Sequence, residues 1–457
     1  MSDSRPLAAP CIKVGSHTSR GRPVCSLLYS QSFTVRKVAP CMGKQLIQTH
    51  RFRNGLTLVT ESMPDVQSAA FTIMVPGGSI HDPPDKRGTA SILSDLITRG
   101  AGPYDSEQLS SALDNLGVQR HEGASNAHIT FSGATLADNL ADTLKIYSLI
   151  LRAPHLPEDQ FEASRAGVAQ ALLSVEDDAR QKALVELKRR AFPAPWGLPN
   201  DGELAHLAGI TIDDVLKQYE TGFHPDDTII GIAGNIDFDA LCQLIEEQFG
   251  DWEPSEGREE PALEFPTEKI FFTEQETTQT HLGIAYDAVP YGHPDYYASW
   301  AAVGILSGGM SARLFTEVRE KRGLCYTVSA SLAGMPGIGR VLCYAGTTSE
   351  RAQETLDVTL HELQRLGEGI DNSELERCKA RAKSSLIMSQ ESTSSRAASI
   401  ARDWFYLKHI TTLDQINDEI QQLTTDRILG FVHAHPAANF TVLTIGPKPL
   451  EVPSDIS

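Results

Sequence analysis

Residues 133–173, GATLADNLADTLKIYSLILRAPHLPEDQFEASRAGVAQALL, and residues 346–387, GTTSERAQETLDVTLHELQRLGEGIDNSELERCKARAKSSLI, are built to one pattern. Each opens on Gly-x-Thr, runs through a stretch of helical period, breaks, and enters a second helix behind acidic residues. Within that second helix Phe161, Glu162, Ala166 and Leu172 stand opposite Leu375, Glu376, Ala380 and Leu386, each 214 positions later. An earlier echo sets a β-rich run and Pro84-Asp85 against THLGIAYDAVPYG and Pro294-Asp295. Matched order over long segments marks a duplication, not a short-period solenoid.

Between the copies, WEPSEGREEPALEFPTEK (252–269) is rich in Glu and Pro and has no apolar period. It reads as an exposed linker, placed over 253–269, between domains at 45–252 and 270–450. Short β-patterned runs (LTLVTE, AAFTIMV, HITFSG) precede long amphipathic helices without regular alternation. The expected fold class is therefore α+β: two tandem homologous domains, each a mostly antiparallel sheet packed against helices.

Composition narrows the classes of function. With 41% apolar and 22% charged residues the chain reads as soluble, and no apolar run is long enough for a membrane span. A net charge of −19 argues against nucleic acid as a partner. Residues 1–44 depart from this balance, with seven Lys or Arg against Asp3 alone. They read as a basic, disordered leader, either an organellar transit peptide or a stretch upstream of a start at Met42. Seven scattered cysteines without a C-x-x-C pair suit reduced thiols, and the expected location is cytoplasmic, or an organelle matrix if the leader is a transit peptide.

Two stretches carry the chemistry. The first is VPGGSIHDPPDKRGTASILSDLITRGAG (75–102), where Ala90, Leu93, Leu96 and Ile97 form a buried helical stripe and Ser91 and Asp95 share another face with Ser94 nearby. The second is ILSGGMSARLFTEVREKRGLCYTVSASL (305–332). Here Ser311 is expected to cap a helix bearing Leu314, Phe315 and Val318, and Gly323 to end it. A strand should begin near Leu324, with Tyr326, Val328, Ala330 and Leu332 on one face. Gly308-Gly309 reads as a turn, since no GK[ST] follows it.

Both stretches resemble the insulinase and mitochondrial-processing-peptidase family of pitrilysin-type zinc peptidases, and the resemblance spans nearly the whole chain after Met42. Active members carry H-x-x-E-H where this chain has Ser91, Ser94 and Asp95, and a further glutamate ligand where it has Ala171 or Leu172. Only Asp95 among these could bind a metal, and Glu176 lies one turn too far along. The expectation is that this chain binds no metal cofactor and that zinc resides in a partner subunit. His121, Glu122 and His128, and the His433-x-His435 pair, read as ordinary satisfied or solvated side chains.

The second stretch resembles the second-domain signature of bacterial members, in which an arginine precedes a tyrosine by seven residues, as Arg319 precedes Tyr326. The resemblance implies that the arginine binds peptide backbone and the tyrosine stabilises the developing oxyanion. Arg313 and Arg322 remain alternative substrate-facing cations. The expected function is the non-zinc subunit of a heteromeric zinc endopeptidase, a heterodimer with a zinc-bearing homologous subunit, acting on extended peptides. The alternatives are an inert structural subunit resembling respiratory-complex core proteins, and a peptide-binding homodimer that does not cleave.

Overall fold

The computed structural model describes residues 45–453 apart from 256, 258 and 259. The expectation for the leader, residues 1–44, lies outside the described residues. The first half contributes strands β1 (Leu46–Arg51), β2 (Thr57–Ser62), β3 (Ser68–Val75), β4 (Gln119–Ala124), β5 (Ile129–Leu136) and β6 (Ile229–Gly234). Its helices are α1 (Thr89–Leu96), α2 (Ser106–Asn115), α3 (Leu140–Arg152), α4 (Glu158–Asp177), α5 (Ala179–Ala191), α6 (Leu204–Leu207), α7 (Ile212–Gly222) and α8 (Phe238–Phe249). The second half contributes β7 (Ile270–Glu274), β8 (Gln279–Ala288), β9 (Cys325–Met335), β10 (Ile338–Thr348) and β11 (Thr441–Gly446). Its helices are α9 (Tyr296–Ser307), α10 (Ala352–Arg365), α11 (Asn372–Gln390), α12 (Thr393–Leu407), α13 (Leu413–Gln421) and α14 (Thr425–Ala434).

The duplication is explicit in the sheets. Their strand orders are β1-β2-β6-β3-β5-β4 and β7-β11-β8-β10-β9. Without β1 the two orders are the same, and each sheet has one parallel pair, β2 with β6 and β7 with β11, among antiparallel ones. Period-2 patterning sets the buried face: along β5, Ile129, Phe131, Gly133 and Thr135 point inward while their neighbours are half-exposed. Helices then cover that face. A core around Phe71, Phe131 and Tyr147 fills the first half, and one around Ile284, Leu314 and Leu360 fills the second.

Packing does not follow chain order, because each half covers the other's sheet with one helix. Ala183, Leu187 and Ala191 of α5 pack with Ala285 of β8 and with Leu443 and Ile445 of β11. Reciprocally, Ala397, Ile400 and Ala401 of α12 pack with Val59, Ala70, Ile229 and Ala233 of the first sheet. The approach is close enough to need glycine: a Cβ on Gly231 would stand 2.6 Å from the Ala397 carbonyl oxygen. Beside it, Arg396 of α12 donates from Nε to Glu61 Oε2 of β2 at 2.7 Å, both side chains 3% exposed. Among the described residues, no helix is long and apolar enough to cross a membrane.

Candidate functional site

The segment joining α9 to β9 is irregular in two places, and both bracket the Arg319–Tyr326 pair. A helix begins at Arg313, two residues past Ser311, with no side-chain cap, so the expected Ser311 cap is not made. From Phe315 to Glu320 the turn is π-wound, widened by one residue, with the Lys321 amide donating to the Thr316 carbonyl. Gly323, at φ +56°, ends it as expected, and the Leu324 amide reaches back to the Val318 carbonyl. The second irregularity lies in β9, where Thr347 pairs with Cys325 and Gly346 with Thr327. Tyr326 is the extra residue of a β-bulge, with no partner on β10.

The bulge corrects the expected alternation. Val328 is buried, as a core-facing residue should be, but Tyr326, two positions earlier, is 83% exposed. An extra residue turns the strand and aims that one ring into solvent. The entry turn is held firmly: Arg351 donates to the carbonyls of Arg322 and Gly323 at 2.8 and 2.7 Å, and Thr347 Oγ1 donates to the Leu324 carbonyl at 2.6 Å.

Arg319 lies on the π-wound turn with its guanidinium carbon 4.7 Å from the Phe315 ring centroid and 5.4 Å from that of Tyr326. Contact with two rings attracts the guanidinium to their faces and leaves its N–H groups open to a ligand. The neighbouring cations are already committed. Arg313 is paired with Glu374 through Nε at 2.8 Å and Nη2 at 2.7 Å, and Lys321 and Arg322 both bond Glu317. Among the described residues, neither the Arg319 guanidinium nor the Tyr326 hydroxyl has a hydrogen-bond partner. Burial pushes the Cys325 thiol up to about 11 against the opposing charge of Arg319, so this thiol stays protonated at neutral pH. The Phe315 platform was missed in the sequence reading, although its i,i+4 spacing from Arg319 was the available signal.

The other sequence-derived positions lie on α1 and α4. Ser91 Oγ donates to the Asn200 carbonyl at 3.0 Å and Ser94 Oγ to the Ser91 carbonyl at 2.8 Å, so both hydroxyls are engaged by backbone. Asp95 points outward to Arg99, with Nε to Oδ2 at 2.9 Å. On α4, Ala171 is exposed, Leu172 is buried in the core, and Glu176 pairs with Lys182. Helix α1 itself is well formed, its first amides taken by the buried Asp82 carboxylate (Gly88 N at 2.8 Å, Ala90 N at 3.0 Å). The histidine groups do not converge. Tyr147 bonds Glu122, His128 lies edge-on to Phe405, and His433 bonds the Gly367 carbonyl.

Comparison with known proteins gives the family and the fold. Residues 57–195 fit the family model described as Insulinase (Peptidase family M16), and residues 209–382 fit the one described as Peptidase M16 inactive domain. The chain belongs to the insulinase family of peptidases. A Bacillus subtilis relative, an uncharacterized zinc protease YmxG, is 28% identical over 417 residues, covering 88% of this chain and 99% of its own length. An uncharacterized zinc protease of Rickettsia bellii is 22% identical over 409 residues. Among solved structures, a peptidase M16 inactive domain from Pseudomonas fluorescens shares the fold with a TM-score of 0.80 at 20% identity, over 89% of this chain and 99% of that one. A chain of Candida albicans complex III shares it with a TM-score of 0.74 at 17% identity, over 88% and 96%.

Zinc does not fit this insulinase-family chain at the α1 position. Two backbone-bonded serine hydroxyls, one outward ion-paired carboxylate and an Ala-Leu pair supply no set of three strong donors. Among the described residues, no group of three or more His, Cys, Asp or Glu side chains is arranged to hold a metal.

Proposed function

We propose that this protein is the non-zinc subunit of a heteromeric M16 endopeptidase. It pairs with a homologous subunit that carries the metal and the general base, forms half of the chamber enclosing an extended peptide, and supplies Arg319 and Tyr326 to the bound substrate. The observation that carries this reading is the pair itself: two adjacent donors, uncommitted within the described residues, aimed outward by a π-wound turn and a β-bulge. Backbone irregularity of this kind recurs where a side chain must be re-aimed at a ligand.

In this arrangement the zinc, resident in the partner, supplies the activated water. Arg319 donates in-plane N–H groups to carbonyls of the peptide backbone and fixes its register. Tyr326 donates its hydroxyl proton in a hydrogen bond to the carbonyl oxygen as negative charge develops there, a contact stronger in the transition state than in the ground state. An inert structural role, as in respiratory-complex chains of the same fold, is less well supported. It gives no reason to hold a tyrosine 83% exposed beside a guanidinium that has no partner among the described residues.

The test is reconstitution with a homologous subunit that carries H-x-x-E-H. Cleavage of an extended peptide should need both chains, and Arg319→Ala should weaken it without dissociating the complex. Equal cleavage by the zinc-bearing subunit with and without this chain would remove the proposal.

A further inference from the structure

The second half has its own concave site at the place where the first half has α1 and α4. Helix α9 corresponds to α1 and α11 to α4, and between α9, α11 and β9 lies a pocket of about 450 Å³. Apolar walls come from Trp300 and Leu332, hydroxyls from Ser307 and Ser385, and charge from Arg377 and Arg381. Ser307 Oγ accepts the Ala330 amide at 2.8 Å, so its own proton is free to be donated elsewhere. The Gly308-Gly309 turn closes one end. A Cβ on Gly308 would stand 2.2 Å from the Gly304 carbonyl oxygen, so the turn needs glycine, and Arg381 Nη1 would lie 3.2 Å from that Cβ.

The charges in this pocket do not balance. Among the described residues the only carboxylate lining it, Glu374, is held by both Nε and Nη2 of the half-buried Arg313 and also accepts the Asp371 amide at 3.0 Å. Arg377 and Arg381 sit one turn apart on α11, like charges at i,i+4, which repel unless an anion lies between them. Among the described residues neither has a carboxylate within ion-pair distance. Both side chains are exposed and face the concavity together with Ser385, so their donors are open to a ligand arriving from solvent. The first half has no such pair: 214 positions earlier stand Ala163 and Gly167.

We propose that this pocket is a carboxylate subsite that selects peptides with an acidic group at a fixed distance from Tyr326. Two guanidiniums offer the planar forked donors that match a carboxylate, the serine hydroxyls add further donors, and Trp300 and Leu332 receive the aliphatic stem of the residue. The distance follows from the strand. Ser331, on the pocket wall, lies five residues along β9 from Tyr326, which at about 3.4 Å per residue is roughly 17 Å, the span of about five extended peptide residues. The acidic group is thus either a side chain about five positions from the scissile bond or the terminal carboxylate of a short product-like peptide. This subsite rests on the peptide-binding role proposed above but not on cleavage.

The test measures binding to the full chain alone, by fluorescence anisotropy with labelled ten-residue peptides. One peptide carries a single Glu, one has Gln in its place, and each is made with a free and with an amidated C-terminus. The expected result is about tenfold tighter binding of the Glu peptide or of the free-terminus peptide, whichever source the pocket takes, falling with added salt. The double variant Arg377→Gln, Arg381→Gln, checked for folding by circular dichroism, should lose this discrimination. Arg319→Ala should weaken all four peptides alike and keep the discrimination. Equal binding of all four by the wild type, no binding of any, or discrimination surviving in the double variant would each overturn the subsite. Preserved discrimination in a reconstituted complex whose cleavage ignores Arg319 and Tyr326 would instead overturn the catalytic reading alone.

Discussion

The two halves run from helix to edge strand by the same route and arrive differently. In the first, α2 closes at Gly117, φ +66°, with the Gly117 amide on Asp114 and the Val118 amide on Leu113, and β4 then pairs with β5 without a register shift. In the second, the corresponding turn closes at Gly323 one residue wider, with the Leu324 amide on Val318, and β9 carries a bulge at once. One residue is added to the helix and one to the strand, with Arg319 in the first widening and Tyr326 in the second. At α1 the contrast is reversed: the backbone is regular and capped, and the metal chemistry is absent. The duplicated fold thus differs between its halves in backbone regularity, regular and capped at α1 and irregular around Arg319 and Tyr326, where the proposed function places the substrate contacts.

The largest expected effect concerns how the halves interlock. Glu61 and Arg396 form a buried pair across the exchanged helix, whereas Lys182, 214 positions before Arg396, pairs with Glu176 at the surface. Glu61→Ala leaves a buried guanidinium uncompensated and should cost about 3–5 kcal/mol, read as a lowered urea midpoint. Glu176→Ala should cost no more than about 1 kcal/mol. Similar losses in the two variants would break the asymmetry.

A smaller effect is expected from Arg319→Lys in the reconstituted enzyme. Lysine keeps the charge but loses the planar stacked fork, and kcat/KM should fall about tenfold or more, roughly 1.4 kcal/mol. Arg322→Lys, whose guanidinium is committed to Glu317, should change it little. Equal sensitivity of the two positions would argue that stacking does not matter.

Asp82 offers a pH test of the regular half. Burial raises its carboxyl from 3.8 to about 6, against opposing hydrogen bonds from Gly88, Ala90 and Thr89 and the charge of Arg87. Because the folded value lies above the unfolded one, its contribution is present below about 4 and is lost as pH rises through about 6. Wild-type stability relative to Asp82→Asn should therefore decline across that window in denaturant titrations. A rising difference would place the folded value below the unfolded one. The smallest effect is expected from Phe315→Ala, which removes one face of the Arg319 stack and should lower kcat/KM only a few-fold, on the order of 0.5–1 kcal/mol.

Much of this was legible in the residues. The repeated helix pattern exposed the duplication, because apolar period survives divergence, and the scarcity of metal donors on α1 was visible as side-chain identities. The resemblance of residues 305–332 to the second-domain signature of bacterial members brought Arg319 and Tyr326 to notice, but not their presentation. A π-wound turn and a bulge are choices of hydrogen-bond register, and side chains report burial, not register; hence Tyr326 was expected on the face of Val328. The crossing of α5 and α12 was hidden for a related reason. An amphipathic stripe says that Leu187 or Ile400 is buried, not on which sheet. Arg313 was separable from Arg319 only once Glu374, 61 residues away, was seen to hold it.

The most direct test is the steady-state kinetics of Tyr326→Phe in complex with a zinc-bearing homologue. Loss of one oxyanion donor should lower kcat by about 100-fold or more, roughly 3 kcal/mol, with KM within about twofold and the zinc content of the complex unchanged. An unchanged kcat would contradict the account.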